Sequence, residues 1–180
     1  MLTIPRAPQR LRLPIERQWN GAPSGAVRAA LELSIVGAAL ELRSELWQPG
    51  DPRIPDLRRG TRVANLWEYD VVECFLAGAG GRYLELELGA GGHFLALSFR
   101  ARRVRADEHR RLAPWVERHS APGGVRRTAL RFPLALLPPD VRAIGAFAIA
   151  GGLFLAHSPV PGAEPDFHQP DRFTAARLAP

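Results

Sequence analysis

The sequence predicts an all-β chain: an antiparallel β-sandwich of jelly-roll or immunoglobulin-like type, with one or two short helical turns. Three observations carry that expectation. Apolar residues recur with a period of two, as in Leu31, Leu33 and Ile35 around Glu32 and Ser34. The 180 residues include 17 Gly and 17 Pro, which cut the chain into short pieces and disfavour long helices. With 46% apolar residues and a length usual for one domain, residues 1–180 read as one sandwich with its own core.

Taken in order, Ala29 to Trp47 holds two strands, the second running from Leu40 to Trp47. Residues 48–62, with Pro49, Gly50, Pro52, Pro55 and Gly60, form a long aperiodic loop, a kind of segment that often serves function. Leu66 to Ala77, Arg82 to Leu88 and His93 to Arg100 are separated by two Gly-rich turns and read as a three-stranded meander. Residues 100–127 read as an Arg-rich connecting segment. Thr128 to Phe132 is a strand, Pro133 to Pro139 a helical turn, Ala143 to Ala150 a buried strand, and Phe154 to His157 its continuation. Residues 159–180 are a loop-like tail packed on the sandwich, pinned by Pro165-Asp166-Phe167-His168.

Within the meander, apolar matching sets an expected register, because a slip of one residue exchanges the two faces of a strand. Pairing Leu76 with Arg82 and Leu88 with His93 lines Val72, Cys74, Leu84, Leu86, Leu95 and Leu97 along one face. The other face then collects Trp67, Tyr69, Glu73, Phe75, Tyr83, Glu85 and Glu87, with Phe94, Ala96 and Ser98. Rings stack on the apolar faces of sugars and carboxylates accept hydroxyl hydrogen bonds, so Trp67, Tyr69, Glu73, Tyr83, Glu85 and Glu87 are the candidate ligand-binding residues. A second apolar layer beneath a loop, its carboxylates paired with Arg, is the competing structural explanation. In this register Glu73 and Glu85 stand directly opposed, a like-charge pair that needs a proton, an Arg or a cation. His93, Asp166 and His168 are secondary candidates, with a ring hydrogen bond to the neighbouring Asp70 the competing structural explanation for His93.

Charge narrows the partners. The net charge of +6 comes mainly from residues 100–131, which carry +7, and every one of the 24 basic residues is Arg, as in a chain from a GC-rich genome. That run lacks interleaved aromatics and any DNA-reading element, so nucleic acid is not the expected partner. Its most apolar stretch, Ala143 to Ala156, is shorter than the roughly 20 residues a membrane span requires. A lone Cys74 and an N-terminus without an apolar signal-like core make a reducing cytoplasm the expected compartment. Cys74 itself is expected to face the core as an inert small side chain. No Walker sequence, nucleophile elbow or H-x-x-x-H pair is present, and no D-x-D-x-D-G loop, although the carboxylates leave calcium a possible ligand.

The strings Leu66-Trp67-Glu68-Tyr69-Asp70-Val71-Val72-Glu73, Tyr83-Leu84-Glu85-Leu86-Glu87-Leu88, Gly92-His93-Phe94-Leu95 and Pro165-Asp166-Phe167-His168 carry a family resemblance. From Trp19 to Phe173 the chain resembles the DOMON-like proteins related to family nine carbohydrate-binding modules. It is also similar to a eukaryotic family sharing the L-W-[ED]-[YH]-[DE]-V-V-E, Y-L-E-[VL]-E-L and P-D-F-H blocks. The resemblance implies a β-sandwich that binds sugar or haem, with Trp67 as counterpart of one of two clamping rings. Haem-binding relatives use Met and His ligands, and the only Met here is Met1, so haem is not expected. The reading is a non-catalytic module for a carbohydrate or small polyol, with the 48–62 loop walling the site. The alternatives are a sugar-active enzyme using Glu73 and Glu85 with His93 or His168 nearby, and a protein–protein interaction domain.

Overall fold

The structure, a computed structural model, describes residues 1–121 and 124–180, with the side chains of His119, Ser120 and Ala121 outside the described set. Among the described residues the strands are β1 (Leu2–Ile4), β2 (Leu11–Ile15), β3 (Arg17–Gln18), β4 (Arg28–Val36), β5 (Ala39–Trp47), β6 (Val71–Ala77) and β7 (Tyr83–Gly89). They continue with β8 (Phe94–Ala101), β9 (Val104–Asp107), β10 (Trp115–Ala121), β11 (Val125–Pro133), β12 (Ala143–Ala150), β13 (Leu153–Ala156) and β14 (Thr174–Leu178). The helical content is short 3-10 turns such as Leu66–Glu68 and Leu134–Leu136. A five-stranded sheet in the order β10-β11-β5-β4-β2 faces a nine-stranded sheet whose main path is β1-β14-β12-β6-β7-β8-β9, with β13 and β3 attached through β12. The chain is therefore a β-sandwich, antiparallel except where β1 runs parallel to β14.

Alternation explains the layers. Leu31, Leu33, Leu40, Leu42, Leu130 and Phe132 of the smaller sheet pack against Val72, Cys74, Leu84, Leu86, Ala146 and Ala148 of the larger one. The outer face of the smaller sheet is an ion-pair ladder, in which Glu41 meets Arg10, Arg43 and Arg131, and Glu45 meets Arg12 and Arg127. The larger sheet is covered on both faces. On its outer side Phe75, Tyr83, Leu97, Phe99, Phe147 and Phe167 form a second apolar cluster. That is why β6 and β7 are buried along their whole length despite alternating sequences.

The register differs from the expected one in two ways. β6 and β7 pair two residues out of the expected register, with Cys74 opposite Leu86 and Leu76 opposite Leu84, which leaves the faces unchanged. β7 and β8 pair one residue out, with Leu88 opposite Phe94 and Leu86 opposite Ala96, and here the faces of β8 exchange. The cause is the turn. Gly89 N–H bonds His93 O across a three-residue loop, Ala90-Gly91-Gly92, with Gly92 at φ 84°, where a four-residue loop was expected. Leu95, Leu97 and Phe99 therefore lie on the carboxylate face, and Phe94 and Ala96 between the sheets. As expected, Cys74 is buried in the core.

Three segments also depart from their expected form. The Arg-rich stretch is largely strand, forming the solvent-exposed β9 and the edge strand β10. The tail contributes β14, paired with β12 and β1. Leu66 to Asp70 is a turn and a short extended stretch, so the strand begins at Val71.

Candidate functional site

On the outer face of the larger sheet a cavity of about 300 Å³ opens over the carboxylates. Glu73 of β6, Glu85 of β7, Leu97 and Phe99 of β8, and Ile149 of β12 form its floor. Its walls are Trp67, the Arg103–Arg105 stretch entering β9, and the tail residues Pro165, Phe167 and His168. The pleat accounts for the floor. In Tyr83-Leu84-Glu85-Leu86-Glu87-Leu88 each Leu points between the sheets, which obliges Tyr83, Glu85 and Glu87 to point outward. Phe167 fixes the tail by stacking on Phe147, with centroids 4.3 Å apart and planes at 11°. His168 sits edge-on among Phe75, Tyr83 and Phe99.

Three carboxyl groups are taken from water here. Glu73 is 3%, Glu85 4% and Glu87 0% exposed. Burial pushes Glu73 and Glu87 well above the usual carboxylate range, and their mutual repulsion with Glu85 adds to it. Burial also raises Glu85, to about 7, with the neighbouring Glu87 carboxyl and the Arg105 and Arg103 charges holding it lower than its neighbours. Glu85 and Glu87 share a side-chain hydrogen bond, and beyond it neither oxygen of Glu87 nor Oε2 of Glu85 meets a donor. Buried polar atoms are normally satisfied, so these oxygens mark a place where a partner is missing.

The basic side is as ordered. Tyr83 Oη accepts the Arg103 backbone N–H at 2.9 Å and lies 2.9 Å from His168 Nδ1. Donating the hydroxyl proton to Nδ1 satisfies both groups and leaves the hydrogen on His168 Nε2, 4.0 Å from Glu85 Oε2. Burial, then the Arg103 charge, lower the His168 pKa to about 4, so the imidazole is neutral at pH 7. Asp166 holds Arg102 and Arg103, and Arg105 lies 5.7 Å above the Trp67 ring while pairing with Glu108. Arg103 adopts φ 58°, a left-handed conformation uncommon outside glycine, at the two-residue turn between Ala101 and Val104.

Of the residues singled out in the sequence, Trp67, Glu73, Glu85 and His168 meet at the cavity. Tyr83 and Glu87 lie behind it, Asp166 braces its arginines, and Tyr69 packs half-buried against the second apolar cluster. Three expectations are corrected. Glu73 stands opposite Glu87, and Glu85 opposite Phe75, so Glu73 and Glu85 are diagonal rather than directly opposed. His93 does not bond Asp70: its Nε2 meets Leu57 O at 2.9 Å, while Asp70 Oδ2 accepts from Gln48 Nε2 and Arg53 N–H. The 48–62 loop packs on the Gly89–His93 turn, Gly60 N–H bonding Gly92 O, and does not line the cavity. Sequence reasoning missed Arg103, Arg105, Leu97 and Phe99. The parity of the turn before β8 was the signal for the last two. Among the described residues, no group of three or more His, Cys, Asp or Glu is arranged to hold a metal ion. None of their helices is long and apolar enough to cross a membrane.

Known proteins fit this architecture. No protein-family model matches the chain. It is 31% identical over 172 residues to the UPF0462 protein C4orf33 homolog of Mus musculus, spanning 88% of this chain and 87% of that protein. With the human UPF0462 protein C4orf33 it shares 30% identity over 167 residues, 86% of this chain and 81% of that one. Among solved structures, a candidate carbohydrate-binding protein from Bacteroides uniformis superposes with a TM-score of 0.68 at 15% identity, covering 94% of this chain and 86% of the other. A carbohydrate binding module of family 9 from Caldicellulosiruptor kristjanssonii, in complex with cellotriose, superposes with a TM-score of 0.59 at 14% identity, covering 98% and 92%.

Proposed function

We propose, for this chain, which belongs to the UPF0462 family, that it is a non-catalytic module binding a carbohydrate or similar polyhydroxylated ligand in the cavity beside Trp67. The observation that carries the reading is Glu85 Oε2, a buried carboxyl oxygen on a cavity-lining side chain that meets no donor from the surrounding residues, where a ligand's hydroxyl would complete it. The Trp67 ring offers an apolar face at the rim, Glu73 and Glu85 accept or donate to hydroxyls, and His168 Nε2–H donates. Phe99, Leu97 and Ile149 exclude water from the ring faces of the ligand. The likeness in fold to carbohydrate-binding proteins agrees with this assignment, and the DOMON-like relation suggested by the Leu66–Glu73 and Pro165–His168 strings belongs to the same proposal.

The enzymatic alternative has less to rest on, because Glu73 and Glu85 are diagonal neighbours on one sheet rather than carboxyl groups facing each other across a cleft. The test is a binding screen of the purified protein against monosaccharides and glycans, with and without calcium, beside Trp67→Ala. Binding that is lost in a folded Trp67→Ala protein supports the assignment. Binding unchanged in that variant overturns it.

A further inference from the structure

Five guanidinium groups share two carboxylates beside the cavity, and two of the five, Arg103 and Arg105, line it. Asp166 is shared by Arg102 and Arg103, and Glu108 by Arg62, Arg105 and Arg110. Burial disfavours the charged form of the floor carboxyls Glu73 and Glu85, so they offset that positive charge less than exposed carboxylates would. His168 contributes a neutral N–H donor rather than an acceptor, because Tyr83 occupies Nδ1. The guanidinium groups of Arg103 and Arg105 and the His168 N–H thus face the cavity as donors. One buried acceptor, Glu85 Oε2, faces the cavity unpartnered in a side chain 4% exposed.

We infer that the ligand is an anionic sugar, a polyhydroxylated ring bearing a carboxylate or phosphate, with its anionic group between Arg103 and Arg105 and its ring against Trp67. The inference rests on the carbohydrate reading above and narrows it. The two arginines are the exposed members of their pairs, 60% and 45% exposed against partners at 22% and 27%, so each guanidinium keeps donors open to an anion in the cavity. A bidentate guanidinium contact to a carboxylate or phosphate is stronger and directional.

Binding of such a ligand is linked to a proton. The groups that face Glu85 are Glu73 from β6, Glu87 on its own strand, Arg103 and Arg105 from the β8–β9 turn and β9, and His168 from the tail. Glu85, raised to about 7, changes charge in the neutral range, where His168, lowered to about 4, stays neutral. Its ionised form repels an incoming anion, so the complex takes up a proton and binds more weakly as pH rises. A ligand that raises the Glu85 pKa by one unit binds about tenfold more tightly to the protonated protein. A neutral sugar lacks this repulsion.

The experiment is calorimetric titration of the full chain with glucuronate, glucose 6-phosphate, glucose and cellotriose at pH 6 and pH 8.5, repeated on Arg105→Gln and Arg105→Lys. We expect glucuronate or glucose 6-phosphate to bind about tenfold more tightly than glucose, to weaken about tenfold at the higher pH, and to lose the preference in Arg105→Gln but keep it in Arg105→Lys. Which of the two anions wins distinguishes a carboxylate from a phosphate ligand. Glucose or cellotriose binding as tightly as the anions overturns the anionic assignment and leaves the carbohydrate reading standing. Silence from all four probes overturns both.

Discussion

Replacing Glu85 with Gln converts the pKa of one buried group into a measurable stability profile. The side chain is 4% exposed and its pKa is about 7, raised by burial from an ordinary 4.5. A group whose folded pKa is raised contributes stability that is present below its unfolded value and is lost as pH rises through the folded value. Between pH 5 and pH 8 that loss amounts to about 2–3 kcal/mol through the linkage relation, at about 1.4 kcal/mol per unit of pKa. Gln has no charge to desolvate. Its buried amide carries a constant cost, so the parent-to-variant difference must drift by a few kcal/mol in favour of Glu85→Gln across that range. Urea titrations of both proteins at four pH values give the difference directly, and tryptophan fluorescence reports unfolding. A difference that stays flat with pH refutes the argument, because it means Glu85 is either solvated or paired in the folded protein.

Other substitutions test the scaffold of the site. Tyr83→Phe removes the hydroxyl that joins the Arg103 N–H to His168, and is expected to cost about 1–3 kcal/mol in denaturant titration. It should also raise exchange of the Arg103 amide with solvent. Phe167→Ala deletes the ring stacked on Phe147 and should cost about 3 kcal/mol, with the tail becoming sensitive to limited proteolysis while the sheets stay intact. At acid pH the sign reverses. Burial alone would raise Asp166, but hydrogen bonds from Arg102 and Arg103 outweigh it and hold the carboxyl below its usual value, so its contribution is present at neutral pH and lost as pH falls through the lowered value. Asp166→Asn should therefore flatten the acid limb of the stability curve, measured by thermal unfolding between pH 2.5 and pH 5.

Much of the architecture is legible in the sequence because period-two patterns report burial directly. Ala143 to Ala150 reads as a buried strand and is β12, and the alternation in Tyr83–Leu88 puts Glu85 and Glu87 on one face whichever even register β6 and β7 adopt. What the pattern cannot give is the parity of a turn. Gly89-Ala90-Gly91-Gly92-His93 is compatible with three or four loop residues, and only the hydrogen bond from Gly89 to His93 selects three, which moved Leu97 and Phe99 to the carboxylate face. The β8–β9 hairpin was illegible for a related reason. Its two-residue turn is Arg102-Arg103, without the Gly or Asn that normally supplies a positive φ, so the arginines read as a charged loop instead of a rim. The short β1 and β14 are joined only across the full length of the chain, and no local signal in Leu2–Ile4 announces its parallel partner.

The most direct test of the central claim, that the cavity beside Trp67 holds a sugar, is amide and side-chain chemical-shift mapping of the labelled protein during titration with glucuronate and glucose. The account predicts shifts confined to the Trp67 indole, Leu97, Phe99, Arg103, Arg105 and His168, absent when the titration is repeated on Trp67→Ala. Shifts that instead track the ion-pair ladder on the outer face of the five-stranded sheet, or persist unchanged in that variant, contradict it.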